Sequence, residues 1–208
     1  MHSHCGRFVI AYNGEIYNYK NLRSELKKKG RKFSSSTDTE VLLAAIEEWG
    51  LEECLSRIVG MFAFVLIDRR EKLLHLVRDR IGEKPAYYGW QNKVFIFGSE
   101  LKALRLHPSW VGGISDQALG DMLQLSYIPS PKTIHPEVYK VEPGSIVTIR
   151  FNREYPTEIT KRKWWSYQEL FQRTEDERCR KIQDEDIFFE WEKTFAEVIS
   201  ECQISDVP

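Results

Sequence analysis

Tyr12-Asn13-Gly14-Glu15-Ile16-Tyr17-Asn18 joins a stretch that reads as a half-buried strand to one that reads as a helix, and its polar groups gather at one spot. The residues leading into it, Arg7 to Tyr12, are rich in β-branched and aromatic side chains, the types that fit a pleated surface. Beyond it, Asn18 has the chemistry of a helix cap, Tyr19, Leu22, Arg23, Leu26 and Lys29 follow at helical spacing, and Gly30 supplies a stop. Asn13 and Gly14 are therefore expected in a turn at the strand's exit. Glycine lets the backbone approach a ligand closely, and the Asn13 carboxamide and Gly14 N–H can both donate to a developing negative charge. Glu15 adds an acceptor for a ligand cation. Asn-Gly is also an ordinary turn former, so these residues alone leave the two readings open.

Ser36-Thr37-Asp38-Thr39-Glu40 opens a second helix, with Val41, Leu42, Ala45 and Trp49 on its apolar face and Thr37 and Glu40 at capping-box spacing. Asp38 falls in the first turn, where the helix dipole favours a carboxylate and where it could also hold the α-ammonium of an amino acid. Downstream, Gly60–Asp68 and Lys72–Arg78 read as a hairpin joined through Arg69-Arg70-Glu71, with further strands at Ala86–Trp90, Val94–Phe97 and near Ile146–Phe151. Arg78-Asp79-Arg80-Ile81-Gly82-Glu83-Lys84-Pro85 is a charged loop between them whose alternating charges can pair. Gly112-Gly113 reads as a turn and Ser115 as the N-cap of a helix starting near Asp116. Antiparallel strands with helices before, between and after them predict an α+β layered sandwich.

Five motifs carry a resemblance: Tyr12 to Asn18, Ser36 to Glu40, Gly60-Met61-Phe62-Ala63-Phe64, Arg78 to Pro85, and Gly98-Ser99-Glu100-Leu101-Lys102-Ala103-Leu104. In this order and spacing they resemble the glutamine-hydrolysing asparagine synthetases, from about Cys5 to Pro208. The resemblance implies the four-layer αββα sandwich of N-terminal-nucleophile hydrolases. It implies a glutaminase site passing ammonia to a second domain that uses ATP and magnesium to activate aspartate. Asn13 and Gly14 match the oxyanion hole, and Asn13, Gly14, Glu15 and Asp38 match the positions that hold glutamine, Asp38 through the α-ammonium. The charged loop could then face the other domain or line an ammonia path.

The family's pattern begins with an N-terminal cysteine nucleophile, whereas this chain begins Met1-His2, and its Cys5-Gly6 stands eight residues before Asn13 in the same strand. An extended strand advances about 3.3 Å per residue, so Cys5 is expected as a strand-edge or buried thiol and not as the nucleophile. The family's ATP pyrophosphate loop would follow Ile204 to Pro208. The chain is thus expected to be truncated at both ends, with an incomplete N-terminal part of the sandwich, and inactive alone. The alternatives are a non-enzymatic protein binding glutamine or a full-length paralogue, or a truncated product without function. Residues 1–150 are expected to form the partial glutaminase domain. A charged linker would follow at 151–183, with Trp164 and Trp165 as anchors on a neighbouring surface, and 184–208 would hold the first helix of a synthetase domain. That helix, Asp184 to Cys202, carries Ile187, Trp191, Phe195, Val198 and Cys202 on one stripe.

Composition narrows the classes further. With 42% hydrophobic and 12% aromatic residues the 208-residue chain can bury a sizeable core. Thirty basic side chains against 31 acidic ones leave no excess that would draw nucleic acid, and no apolar run reaches the roughly 20 residues of a bilayer span. The cysteines (Cys5, Cys54, Cys179, Cys202) are scattered, without a paired motif, which fits a reducing cytoplasm. His2 and His4, on an end expected to fray, are the one histidine pair at ligand-like spacing, so no metal site is expected.

Overall fold

A computed structural model describes residues 1–151, 156–177 and 184–203; Asn152, Cys179 and the stretch 204–208 lie outside them. In chain order the elements are β1 (Phe8–Ile16), α1 (Tyr19–Lys28), α2 (Asp38–Trp49), α3 (Leu51–Arg57), β2 (Gly60–Asp68), β3 (Leu73–Arg78), β4 (Tyr87–Gln91) and β5 (Val94–Gly98). There follow α4 (Leu101–Arg105), α5 (Asp116–Leu125), β6 (Val138–Lys140), β7 (Ser145–Phe151), β8 (Pro156–Lys163), α6 (Tyr167–Glu177) and α7 (Asp184–Cys202).

Period-two alternation sorts the strand residues into two buried faces. The larger sheet runs β1-β2-β3-β7-β8, and each of its neighbouring pairs is antiparallel. On one face, Phe8, Ile10 and Ile16 of β1 and Phe62, Phe64 and Leu66 of β2 pack on Leu22 and Leu26 of α1, Val41, Leu42 and Ile46 of α2 and Leu55 of α3. On the other, Val65, Leu74, Leu76, Val147 and Ile149 meet Tyr88 and Val141 below the smaller antiparallel sheet β5-β4-β6. That sheet buries Ile96 and Val138 beneath Leu104 of α4. The layers are therefore helix, sheet, sheet, helix, the expected αββα sandwich.

Three expectations change. First, Asn13-Gly14 is not a turn: β1 continues through both to Ile16, with Gly14 opposite Phe62 and Ile16 opposite Gly60. The glycine serves a close approach of strands, since a Cβ on Gly14 would lie 2.2 Å from the Met61 carbonyl oxygen, and one on Gly60 would lie 2.1 Å from that of Glu15. Second, the sheet does not end near residue 150, because the charged stretch begins with β8, paired along β7. Trp164 then anchors on the chain's own core, not on a neighbouring surface: it stacks on Phe62, donates from Nε1 to the Arg78 carbonyl at 3.1 Å, and lies under the Arg80 guanidinium. Third, the N-terminus is not frayed. Met1 donates its ammonium to the Ile10 carbonyl, and His2 bridges Val9, making a small hairpin whose turn carries Cys5 in the open.

The expected helix stripe forms, with Ile187, Trp191, Phe195 and Val198 all at least half exposed or close to it (48–61%). Among the described residues no helix is long and apolar enough to cross a membrane.

Candidate functional site

The site grows from the register of β1 against β2. Phe62 gives its N–H to Asp79 Oδ2 and its carbonyl to the Asp79 N–H, so its backbone polar groups point away from β1. Gly14, directly opposite, is therefore in a non-hydrogen-bonded pair and turns its own N–H to the outer edge of β1. Ile10 and Ile16 share that parity: Ile10 donates outward to Met1, and Ile16 donates outward to Asp38 Oδ2 at 3.0 Å. Between them the edge is open at Gly14.

Asp38 reaches this edge because Thr37 caps α2, accepting from the Glu40 N–H, and starts the helix beside the strand. The capping box closes differently from its usual form. The Glu40 carboxylate does not return to Thr37 but gathers the N–H and hydroxyl groups of Ser34 and Ser35, at 2.7–2.8 Å. Burial pushes Glu40 upward, but those hydrogen bonds outweigh it and hold the carboxyl down at about 2. Asp38 also accepts from the Tyr12 hydroxyl at 2.8 Å. Burial first, and then the neighbouring Asp38 carboxylate, push the Tyr12 phenol far above its ordinary range, so it stays a donor. Asn18 does not cap α1 with its side chain; its amide ties the loop before β2, donating to the Arg57 carbonyl and accepting from the Val59 N–H.

Asn13 and Glu15 alternate to the face between the sheets. Five strands face three there, so the inner side of β1 is left uncovered, with Ala11 and Asn13 exposed. The result is a cleft of about 140 Å³ lined by Ala11, Asn13, Val65, Leu76, Tyr87 and Ser99 among others. Asn13 Nδ2 stands at its rim and donates to Ser99 Oγ at 3.0 Å. The structure thus brings Asn13, the Gly14 N–H and Asp38 together along one end of one strand. The Gly14 and Ile16 N–H groups that mark its two ends are about 7 Å apart. Burial first, and then Glu83, Cys202, Glu15 and Asp79, raise the Tyr17 phenol, which places Glu15 in one neighbourhood with Tyr17 and Glu83.

Cys5 is not there. It sits in the turn before β1, with the strand from Phe8 to Asn13, about 16 Å of extended chain, between it and the donors, and its N–H donates to Glu47. It is exposed, not the strand-edge or buried thiol expected. Cys54 is buried, which pushes its thiol up to about 12. Among the described residues no group of three or more His, Cys, Asp or Glu side chains is placed to hold a metal.

The charged loop works otherwise than by pairing its charges. Asp79, 1% exposed, accepts from the N–H groups of Gly82, Glu83, Lys84 and Phe62. Arg78 donates to the carbonyls of Gly82, Lys84 and Val141. Two charged side chains satisfy seven backbone groups and set the path from the large sheet to the small one. Periodicity did not reveal this, because the partners are backbone atoms that carry no sequence signature.

The layer order defines the fold class, a sandwich of the N-terminal-nucleophile hydrolase type. It is similar to the glutamine phosphoribosylpyrophosphate amidotransferase from Bacillus subtilis, with a TM-score of 0.55 and 22% identity over 79% of this chain and 31% of that one. Residues 1–165 match the family model described as a glutamine amidotransferase domain, and the chain belongs to that family. Within it, the chain is 43% identical over 143 residues to asparagine synthetase [glutamine-hydrolyzing] 1 of Bacillus subtilis, covering 69% of this chain and 22% of that protein. It is 35% identical over 159 residues to a putative asparagine synthetase [glutamine-hydrolyzing] of Methanocaldococcus jannaschii, covering 76% of this chain and 30% of the relative. The chain thus spans less than a third of the length of these relatives.

Proposed function

We propose that this chain is the glutamine-binding part of an asparagine-forming amidotransferase. In this reading glutamine lies along the outer edge of β1. Its α-ammonium is held by Asp38 and Glu15, and its amide carbonyl by the Asn13 carboxamide and the Gly14 N–H, which would stabilise the oxyanion of a tetrahedral intermediate. The ammonia released would amidate aspartate in an ATP- and magnesium-dependent domain of a longer cytoplasmic protein, and no residue of this chain is assigned to ATP or magnesium. The observation that carries the reading is the outward, unpaired Gly14 N–H two residues from the Asp38 carboxylate on the same edge.

A second reading, glutamine or paralogue binding without hydrolysis, is favoured by the distance of Cys5 from those donors. Calorimetric titration of the chain with glutamine, alongside an ammonia assay, tests the glutamine pocket that the first reading requires. Saturable binding is expected, weakened about tenfold in Glu15→Gln, equivalent to about 1.4 kcal/mol. No ammonia release is expected from the 208 residues. Release abolished by Cys5→Ala would reinstate that thiol, and absence of any glutamine binding would overturn the first reading and leave only paralogue binding of the second.

A further inference from the structure

The fifth motif, Gly98 to Leu104, enters the site through Ser99. Ser99 stands where β5 hands over to α4, and its hydroxyl is the group that meets Asn13 Nδ2, from the opposite sheet and 86 positions away in sequence. Its placement is built. Gly98 leaves room for Leu104, whose Cδ2 would be 3.2 Å from a Cβ there, and Leu104 is buried, so α4 folds back directly after Ser99. The hydroxyl is not spent on capping, because the N-cap of α4 is Glu100 and the cap has no side-chain hydrogen bond.

A carboxamide torsion is broad and nearly two-fold, so an unheld asparagine presents its oxygen about as readily as its nitrogen. At an oxyanion hole that matters, because Oδ1 turned toward the developing charge would repel it, whereas preorganised donors stabilise it without moving. We infer that Ser99 is a positioning residue for Asn13: by accepting one Nδ2 proton it holds the plane of the carboxamide at the cleft rim and leaves the second Nδ2 proton to a ligand. This rests on the reading of Asn13 as an oxyanion donor. It makes the donor pair a product of both sheets, with the backbone N–H from the large one and the orientation of the side chain from the small one.

The test uses nuclear magnetic resonance on the 208-residue chain, with the Asn13 side-chain amide assigned by its loss in Asn13→Ala. In Ser99→Ala the Nδ2 protons are expected to exchange with water at least tenfold faster than in the wild type, while the backbone amide spectrum elsewhere is retained. Ser99→Thr, which keeps the hydroxyl, is expected to restore the slow exchange. Glutamine is expected to shift both the Asn13 Nδ2 and Gly14 N–H signals of the wild type, and only the Gly14 signal of Ser99→Ala. An Asn13 amide unchanged in Ser99→Ala would overturn the positioning role. Wild-type protein in which glutamine shifts neither signal would instead overturn the reading of the site itself.

Discussion

Asp79 carries more of the fold than its place in an exposed, charged loop implies. A carboxylate accepting four backbone N–H groups while 1% exposed replaces water for all four at once. Removing it strands those donors, at a cost of about 1–3 kcal/mol for each that finds no substitute. Asp79→Ala is therefore expected to lower unfolding stability by about 3 kcal/mol or more, read as a fall in the urea midpoint. The same residue sets the register that leaves Gly14 unpaired, so this variant should also weaken glutamine binding. Gly14→Ala acts by another route. Its new Cβ meets Met61 O at 2.2 Å and Phe62 Cα at 2.6 Å, both backbone atoms with no rotamer to yield. The strands must part, at about 3 kcal/mol, with the denaturant midpoint again the measure.

The N-terminus of α2 joins stability to pH. Glu40 is held at about 2 against an ordinary 4.5. A carboxyl with a depressed folded pKa stabilises the fold above its unfolded value and loses that contribution as pH falls toward the folded one. Acid titration should thus show stability falling between about pH 4.5 and 2, and Glu40→Gln should flatten that limb; equal slopes would remove Glu40 from the account. This cap was legible in the sequence because Thr37 and Glu40 are local partners, as was the Ser115 cap of α5. β2, β3 and β7 were legible from their apolar runs. β1 was read too short because Asn-Gly is a strong turn signal, and only the partner strand, some 50 residues on, shows that the glycine serves a close approach. β8 was hidden for a related reason. As an edge strand of mostly Thr, Glu, Lys and Arg, with Ile159 alone among them apart from Pro156, it carries no apolar face to betray its pairing. Of the site, the residue types at Asn13, Gly14, Glu15 and Asp38 were readable, but the sharing of Asp38 between Tyr12 and Ile16 and the reach of Ser99 depend on tertiary geometry.

Across the whole molecule, apolar surface is unevenly spent. Trp191 and Phe195 of α7 stack on one another at 5.1 Å and remain exposed, so they add little to the sandwich. Trp191→Ser combined with Phe195→Ser is expected to leave the unfolding free energy within about 0.5 kcal/mol while lowering self-association in sedimentation. A large loss of stability would show that the helix docks on the sandwich. The strand order has a consequence for how the chain is made. β3 gains its second neighbour only when β7 arrives, after residues 79–144 have built the whole of the smaller sheet and its helices. At about 5–20 residues per second, translation takes roughly 3 to 13 s over that interval. Through it the nascent chain shows a bare edge and the apolar row Leu74-Leu76 to its surroundings, which leaves β3 open to a ribosome-associated chaperone for that interval.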